Sequence, residues 1–182
     1  KDPQVTVAVV EYRSQRIFVM GELRRPGTYP VTGAMSLLEA LALAGSTTAT
    51  SADHLLILRS ANASGPLLPG QDPSAEVSRV DLKALENGTS PEIALRDGDT
   101  VFVPRAPTVF VFGQIRNPGE YPIGDGTTVR QALSLAGGVT EYGATNRIKI
   151  VRLVNGQERE FKVKLHDPVR PGDTIVLPQR FI

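Results

Sequence analysis

The amino-acid sequence predicts an α+β protein of two tandem domains, each a small sheet crossed by one short helix. Two internal matches support this prediction. Residues 18–31 read FVMGELRRPGTYPV and residues 110–123 read FVFGQIRNPGEYPI, an offset of 92 at which 15 of 36 compared positions are identical. Residues 95–104, LRDGDTVFVP, match residues 169–178, VRPGDTIVLP, at an offset of 74. One unit is therefore used twice, and the drop in offset predicts an insertion of roughly 18 residues in the first copy, around 60–92.

Each repeat begins with a predicted β-hairpin. Residues 17–23 are apolar and β-prone, which is typical of a strand. The tetrapeptides R-R-P-G (24–27) and R-N-P-G (116–119) predict turns, because Pro fixes φ and Gly readily adopts positive φ. The segment T-Y-P-V (28–31) then predicts a short second strand.

A short helix follows the hairpin in each repeat. Ser36–Glu39 and Thr128–Gln131 have the spacing of a capping box at a helix N-terminus. Apolar residues then recur at i, i+3, i+4 and i+7, which predicts one buried helical face. These residues are Leu37, Ala40, Leu41 and Ala44 in the first repeat, and Val129, Ala132, Leu133 and Ala136 in the second. Gly45 and Gly137 stand where a glycine ends a helix.

The remaining elements are predicted to be strands. They lie at 54–59, 80–86 and 101–104 in the first repeat, and at 147–154, 159–165 and 175–178 in the second. Pro104 and Pro178 end the last strand of each repeat or place it at a sheet edge, because proline cannot donate to a ladder. The order ββ–α–β–β–β is β-grasp-like.

The repeat also predicts the domain limits. Residues 4–12, QVTVAVVEY, read as a strand that has no counterpart before the second repeat. We therefore assign residues 1–16 to the end of a preceding domain. The first repeat domain then spans 17–108, with its insertion around 60–92, and the second spans 109–182.

Composition excludes several kinds of chemistry. The 182 residues contain no Cys and no Trp. Without Cys, the chain has no Cys-ligated zinc, no iron–sulfur cluster, no disulfide framework and no thiol nucleophile. The net charge of +1, without a basic cluster that contains aromatic residues, argues against a nucleic-acid partner. No motif nominates a catalytic residue, a metal ligand or a cofactor, so we expect none.

One acidic motif is better explained as a turn. Asp97-Gly98-Asp99 has the D-x-D pattern of some metal sites, but Pro171 replaces its first Asp in the second repeat. Because Pro cannot be a ligand, we predict that Asp99 and Asp173 hydrogen-bond the backbone of a structural turn.

The hairpin turns hold the strongest candidates for ligand contact. Arg24 and Arg116 precede the turns, and Tyr29 and Tyr121 follow them. A tyrosine ring beside a guanidinium could stack on a sugar ring and hydrogen-bond it. In the alternative interpretation, which recurrence in both repeats favours, the Tyr packs under its own hairpin and the Arg caps the turn.

These motifs also carry a family resemblance. The paired G-[EQ]-[LI]-R-x-P-G-x-Y-P motifs, the A-L-x-L-A-G helices and the G-D-T strands resemble the SLBB (soluble ligand-binding β-grasp) domain. Residues 2–16 resemble the junction between a polysaccharide-export domain and its first SLBB domain. Together these segments are similar to the outer-membrane polysaccharide export proteins of the Wza-like family.

The resemblance implies a function, a location and partners. It implies a periplasmic segment at the outer membrane of a Gram-negative bacterium, within an exporter of capsular or extracellular polysaccharide. Members of the family are typically ring oligomers, often octamers, that enclose a conduit and work with an inner-membrane polysaccharide co-polymerase.

Three functional hypotheses follow, from different classes. The first is a non-catalytic module that builds part of a translocation conduit. The second is a small-sugar or glycan-binding module, with Arg24, Tyr29, Arg116 and Tyr121 as contacts. The third, an enzyme acting on polysaccharide, would need a pair of carboxylates about 5–10 Å apart, and no sequence motif nominates one.

Overall fold

A computed structural model describes residues 15–31, 33–62 and 65–180. The predicted strand at 4–12, and nearly all of the segment assigned to a preceding domain, lie outside the described residues. The chain divides into two compact units. The first unit contains the described residues up to Thr48 together with His54–Pro104. The second unit contains the short segment Ala49–Asp53 and the described residues from Arg105 onward.

The first unit is built on a five-stranded sheet. Its strands in chain order are β1 (Arg16–Gly21), β2 (Gly27–Pro30), β4 (His54–Arg59), β5 (Glu76–Asp81) and β7 (Thr100–Val103), with the short strands β3 (Met35–Ser36) and β6 (Ala94–Leu95) paired separately. The spatial order is β2-β1-β7-β4-β5. The first and last strands, β1 and β7, are parallel, and the other pairs are antiparallel. This parallel pair in the centre of the sheet agrees with the predicted β-grasp-like fold.

The second unit repeats this sheet. Its strands are β8 (Thr108–Gly113), β9 (Gly119–Pro122), β10 (Lys149–Val154), β11 (Gln157–Lys162) and β12 (Thr174–Leu177). The spatial order β9-β8-β12-β10-β11 matches the first unit strand for strand, and β8 is parallel to β12. In both units the strand before the repeated Pro is the central strand of the sheet and ends at the residue before that Pro. Pro104 and Pro178 therefore terminate strands and do not mark edges.

One helix packs on one face of each sheet. Helix α1 (Leu37–Leu43) starts at Ser36, whose hydroxyl accepts from the Glu39 amide, and α3 (Val129–Leu135) starts with a complete capping box between Thr128 and Gln131. The apolar helical face predicted from the sequence is buried in both units and packs on the alternate strand residues that face the helix. Gly45 and Gly137 follow the helices with positive φ, as predicted.

The two units differ in the connection between their fourth and fifth sheet strands. In the second unit β10 and β11 are joined by Asn155-Gly156, both with positive φ, as a two-residue hairpin turn requires. In the first unit residues 60–75 join β4 to β5, and we call the described part of this connection, residues 60–62 and 65–75, the insertion segment. Strand β5, which lies inside the range predicted as inserted, has β11 as its counterpart.

The strand predicted over 80–86 is wrong for most of its length. Strand β5 ends at Asp81, and helix α2 (Leu82–Glu86) follows. Asp81 is its N-cap, since the Asp81 carboxylate accepts from the Ala84 amide at 2.8 Å. Leu82 and Leu85, three residues apart, are both buried, which is a helical and not a strand spacing.

Candidate functional site

Both candidate tyrosines bond the backbone of their own hairpin turn. The Tyr29 hydroxyl donates to the Arg25 carbonyl at 2.6 Å, and the Tyr121 hydroxyl donates to the Asn117 carbonyl at 2.6 Å. Each ring is half-buried and packs against the core of its unit. The phenol proton is therefore engaged within the turn, and the exposed part of each ring is what a ligand could reach.

The candidate arginines lie on the surface of the same turns. Arg24 and Arg116 are exposed. Their backbone amides donate to the carbonyls of Ser46 and Gly138, which fixes each turn beside the end of its helix. It is the tyrosine hydroxyl, and not the guanidinium, that closes the turn. Each unit thus places a candidate Arg and a candidate Tyr on a single hairpin, and the turn of the first unit carries Arg25 as well.

The G-D turns contain a buried ion pair that the sequence did not predict. Asp99 is fully buried and accepts the Arg96 amide at 2.8 Å, which is the turn bond expected for it. It also binds Arg59 in a bidentate manner, with Nε–Oδ1 at 2.8 Å and Nη2–Oδ2 at 2.7 Å.

The second unit has the same ion pair. Asp173, also fully buried, accepts from the Arg170 amide at 2.8 Å and from Arg152 at 2.6 and 2.7 Å. Arg59 and Arg152 occupy equivalent positions on β4 and β10, and each is the only Arg of its strand. That recurrence was the signal in the sequence for these partners.

In each pair both carboxylate oxygens are bound by the guanidinium, which indicates a structural role. Hydrogen bonding to Asp99 raises the pKa of Arg59, although its partial burial acts in the opposite direction. Asp173 raises the pKa of Arg152 in the same way. Each carboxylate is bound by its guanidinium and a turn amide, so it is placed to fasten the turn to the sheet. Within the described ranges, no group of His, Asp and Glu could hold a metal ion.

The face of the first sheet that points away from α1 is covered around Phe18 and Leu58, whereas Val77 on its edge strand β5 is 52% exposed. We call this side of each sheet its outer face. Phe18 on β1 is 7% exposed and Leu58 on β4 is 1% exposed, although neither belongs to the core under the helix. The insertion segment lies on this face, because the Leu67 amide donates to the Thr100 hydroxyl at 3.0 Å and the Leu67 side chain is buried.

The outer face of the second sheet is much more exposed. Phe110, the counterpart of Phe18, is 36% exposed, and Phe112 is 47% exposed. Their rings are nearly parallel, with centroids 6.4 Å apart. Sequence reasoning missed this pair. The signal was the alternation in T-V-F-V-F, since Val109 and Val111 face the helix and the two Phe must then face away.

Fold and repeat together define a class: a chain of two tandem β-grasp-like domains. Family models confirm it, since the SLBB domain model matches residues 15–103 and a second SLBB domain model matches residues 108–162. The chain belongs to the SLBB domain family.

Two relatives carry the comparison further. The chain is 32% identical over 176 residues to the EPS I polysaccharide export outer membrane protein EpsA of Ralstonia nicotianae, and 34% identical over 177 residues to the protein of that name from Ralstonia solanacearum. Each match covers 93% of this chain but only 43% and 44% of the relatives, so the chain spans less than half of their length. The resemblance to polysaccharide export proteins that the motifs indicated is confirmed. Among the described residues, no helix has the length and apolar character needed to span a membrane.

Proposed function

We propose that the chain is a non-catalytic module of an outer-membrane exporter for extracellular or capsular polysaccharide. The observation that carries this proposal is the similarity to two export proteins over 93% of the chain, which includes both SLBB domains. In this proposal the module lies on the periplasmic side of the outer membrane of a Gram-negative bacterium. The complete protein forms a ring that surrounds the polymer and works with an inner-membrane polysaccharide co-polymerase.

The chemistry of the chain suits a conduit. A hydrated polymer must move, so the surface around it should bind weakly and carry little net charge. The net charge of +1 and the absence of Trp fit this requirement. The buried carboxylates of Asp99 and Asp173 are bound by arginines in the fold, which supports a scaffolding role for both.

Loss of export is the test. The parent gene is deleted, and polysaccharide is measured separately inside the cells and in the medium. We expect the deletion strain to secrete no polysaccharide, with the polymer either retained inside the cells or no longer made. Secretion should return with the intact gene but not with a gene that lacks residues 17–180. Normal secretion from the deletion strain would contradict the proposal, and loss of an unrelated envelope component would too.

A second candidate function is glycan recognition at the hairpin turns. It is favoured by the exposed guanidinium groups of Arg24 and Arg116, each on the same turn as a half-buried ring, Tyr29 or Tyr121. Calorimetric titration with the polysaccharide of the parent organism tests it. We expect Arg24→Ala with Arg116→Ala to weaken binding at least about tenfold, or about 1.4 kcal/mol. Arg130→Ala, an exposed Arg on α3, is the control. Equal affinity of both variants would remove the turns as a binding site.

A further inference from the structure

The outer face of the second sheet presents a group of apolar side chains, interrupted by Thr174 and by Lys149, which pairs with Val176. Phe110 and Phe112 lie on β8, and Val176 on β12 pairs with Phe112. Val151, on the same face of β10, is half-buried, and Leu153 is 68% exposed. We call these five residues the open face. Aromatic and aliphatic side chains grouped in this way on a surface are typical of an interaction site.

The first unit shows what kind of partner fits such a face. The equivalent surface there is covered by a stretch of polypeptide, the insertion segment, which buries Leu67 and bonds Thr100 through the Leu67 amide. Thr174 is the counterpart of Thr100 on the second sheet and is half-exposed. The second unit has a two-residue turn where the insertion segment would begin, so it brings no such cover of its own.

The insertion segment has a second apolar side. While Leu67 is buried on its own sheet, the next residue, Leu68, is 49% exposed and stands between Leu67 and Pro69. Its backbone is held in place, because the Leu68 amide donates to the Gln71 side chain at 3.0 Å. Asp72 further fixes the segment through the hydroxyls of Ser60 and Ser74, both at 2.6 Å. Leu68 is therefore presented by an ordered loop, at low entropic cost for binding.

We propose that the insertion segment of one copy docks through Leu68 on the open face of a second copy. The two surfaces differ, so the contact is heterologous, and a chain of such contacts closes into a ring when the rotation between copies permits. The proposal rests on the proposed function and assigns surfaces to its ring. A polypeptide loop suits the open face, because the Leu67 amide of the insertion segment donates to the Thr100 hydroxyl on the first sheet, and Thr174 occupies the equivalent position on the second sheet.

Disulfide trapping between copies tests the docking, and the chain has no Cys of its own to interfere. Pro69→Cys beside Leu68 and Val176→Cys beside Phe112 leave Leu68, Phe110 and Phe112 in place. One of these two variants is labelled with nitrogen-15, and the two are mixed and oxidised. Since each copy carries one Cys, only a bond between copies can form, and the mass identifies the mixed dimer. We expect at least about ten times more mixed dimer than with the control pair Pro69→Cys and Leu135→Cys, where Leu135 is an exposed residue on α3.

Two further variants decide what holds the copies together. Leu68→Ser in the first partner, or Phe110→Ser with Phe112→Ser in the second, should reduce the mixed dimer to the control level. All three positions are exposed, so circular dichroism should show an intact fold. The proposal is overturned if trapping does not exceed the control or if these variants leave it unchanged. It is also overturned if the Phe variants lower only the affinity for polysaccharide, which would make the open face a glycan site. Failed trapping with normal export in cells rejects the docking but leaves the export function standing.

Discussion

The two units have the same strand order in their sheets but differ in what lies on the outer face of the sheet. The hairpin turn, the helix caps and the Arg–Asp pair recur at equivalent positions. In the first unit the insertion segment covers the sheet, whereas in the second a two-residue turn leaves Phe110 and Phe112 exposed. These three features are present in both copies, and helix α2 is found, among the described residues, in the first unit only. The outer faces differ where a partner could bind.

The largest expected difference between the units concerns one equivalent pair of phenylalanines. Phe18→Ala should lower the unfolding free energy of the first unit by about 3 kcal/mol, because it empties a covered site. Phe110→Ala should cost the second unit only about 1 kcal/mol, because its ring is already partly in water. Urea titration followed by hydrogen-exchange mass spectrometry of β1 and β8 peptides measures each unit separately.

A Leu67→Ala variant, which removes the buried side chain of the insertion segment, provides the control for the two phenylalanine variants. With Leu67→Ala in the background, Phe18→Ala should cost less than it does alone, because Leu67 bonds Thr100 through its amide and Thr100 is the strand partner of Phe18. Equal losses for Phe18→Ala and Phe110→Ala in the original chain would mean that the insertion segment does not protect the first sheet.

The ion pairs should instead behave alike in the two units. Asp99→Asn and Asp173→Asn each leave a partly buried guanidinium without its carboxylate, at a cost of about 2–3 kcal/mol. The same exchange measurement reports the loss in the unit that carries the substitution. Asp97→Asn, an exposed position on the same turn as Asp99, is the matched control. If only one of the two variants lowered the unfolding free energy, the equivalent ion pairs would differ in their contribution to stability despite their equal geometry.

A smaller equal effect is expected from the turn tyrosines. Tyr29→Phe and Tyr121→Phe keep each ring on its core and delete one hydrogen bond to the turn carbonyl, which should cost about 1 kcal/mol per unit. Thermal unfolding of the single and double variants measures the loss, and the double variant should show the sum. If either variant is neutral, water replaces that bond fully and the turn is held by other contacts.

Local features of both units could be predicted from the sequence, because they depend on residues close together in the chain. The cap of α1 needs only Ser36 and Glu39, and the turns need only Pro and Gly at fixed spacing. The repeat then showed which local features were structural. Helix α2 was missed because Leu82 and Leu85 lie in a run short enough to read as a strand.

Features that join distant segments could not be predicted in this way. Arg59 and Asp99 are 40 residues apart, and only the sheet brings them together. The recurrence of Gly21 was visible in the sequence, but its reason was not: a Cβ there would lie 2.0 Å from the Val103 carbonyl oxygen on the neighbouring strand. Similarly, the drop in repeat offset indicated an insertion around 60–92 but not that part of it would lie on the outer face of a sheet.

The smallest expected effect concerns the acid sensitivity of the insertion segment. Hydrogen bonds from the side chain of Ser60 and from Ser74 lower the pKa of Asp72. The bonds therefore stabilise the segment above the ordinary Asp pKa of about 3.9, and this contribution is lost as the pH falls through the lowered value. Asp72→Asn should reproduce the loss at neutral pH, with faster hydrogen exchange over residues 60–75 and unchanged exchange at Asn155-Gly156. The effect is small because the carboxylate is solvated. Unchanged exchange over 60–75 would show that the bonds of Asp72 do not hold the segment, because the Leu67 amide bond to Thr100 and the buried Leu67 side chain then suffice to keep it on the sheet.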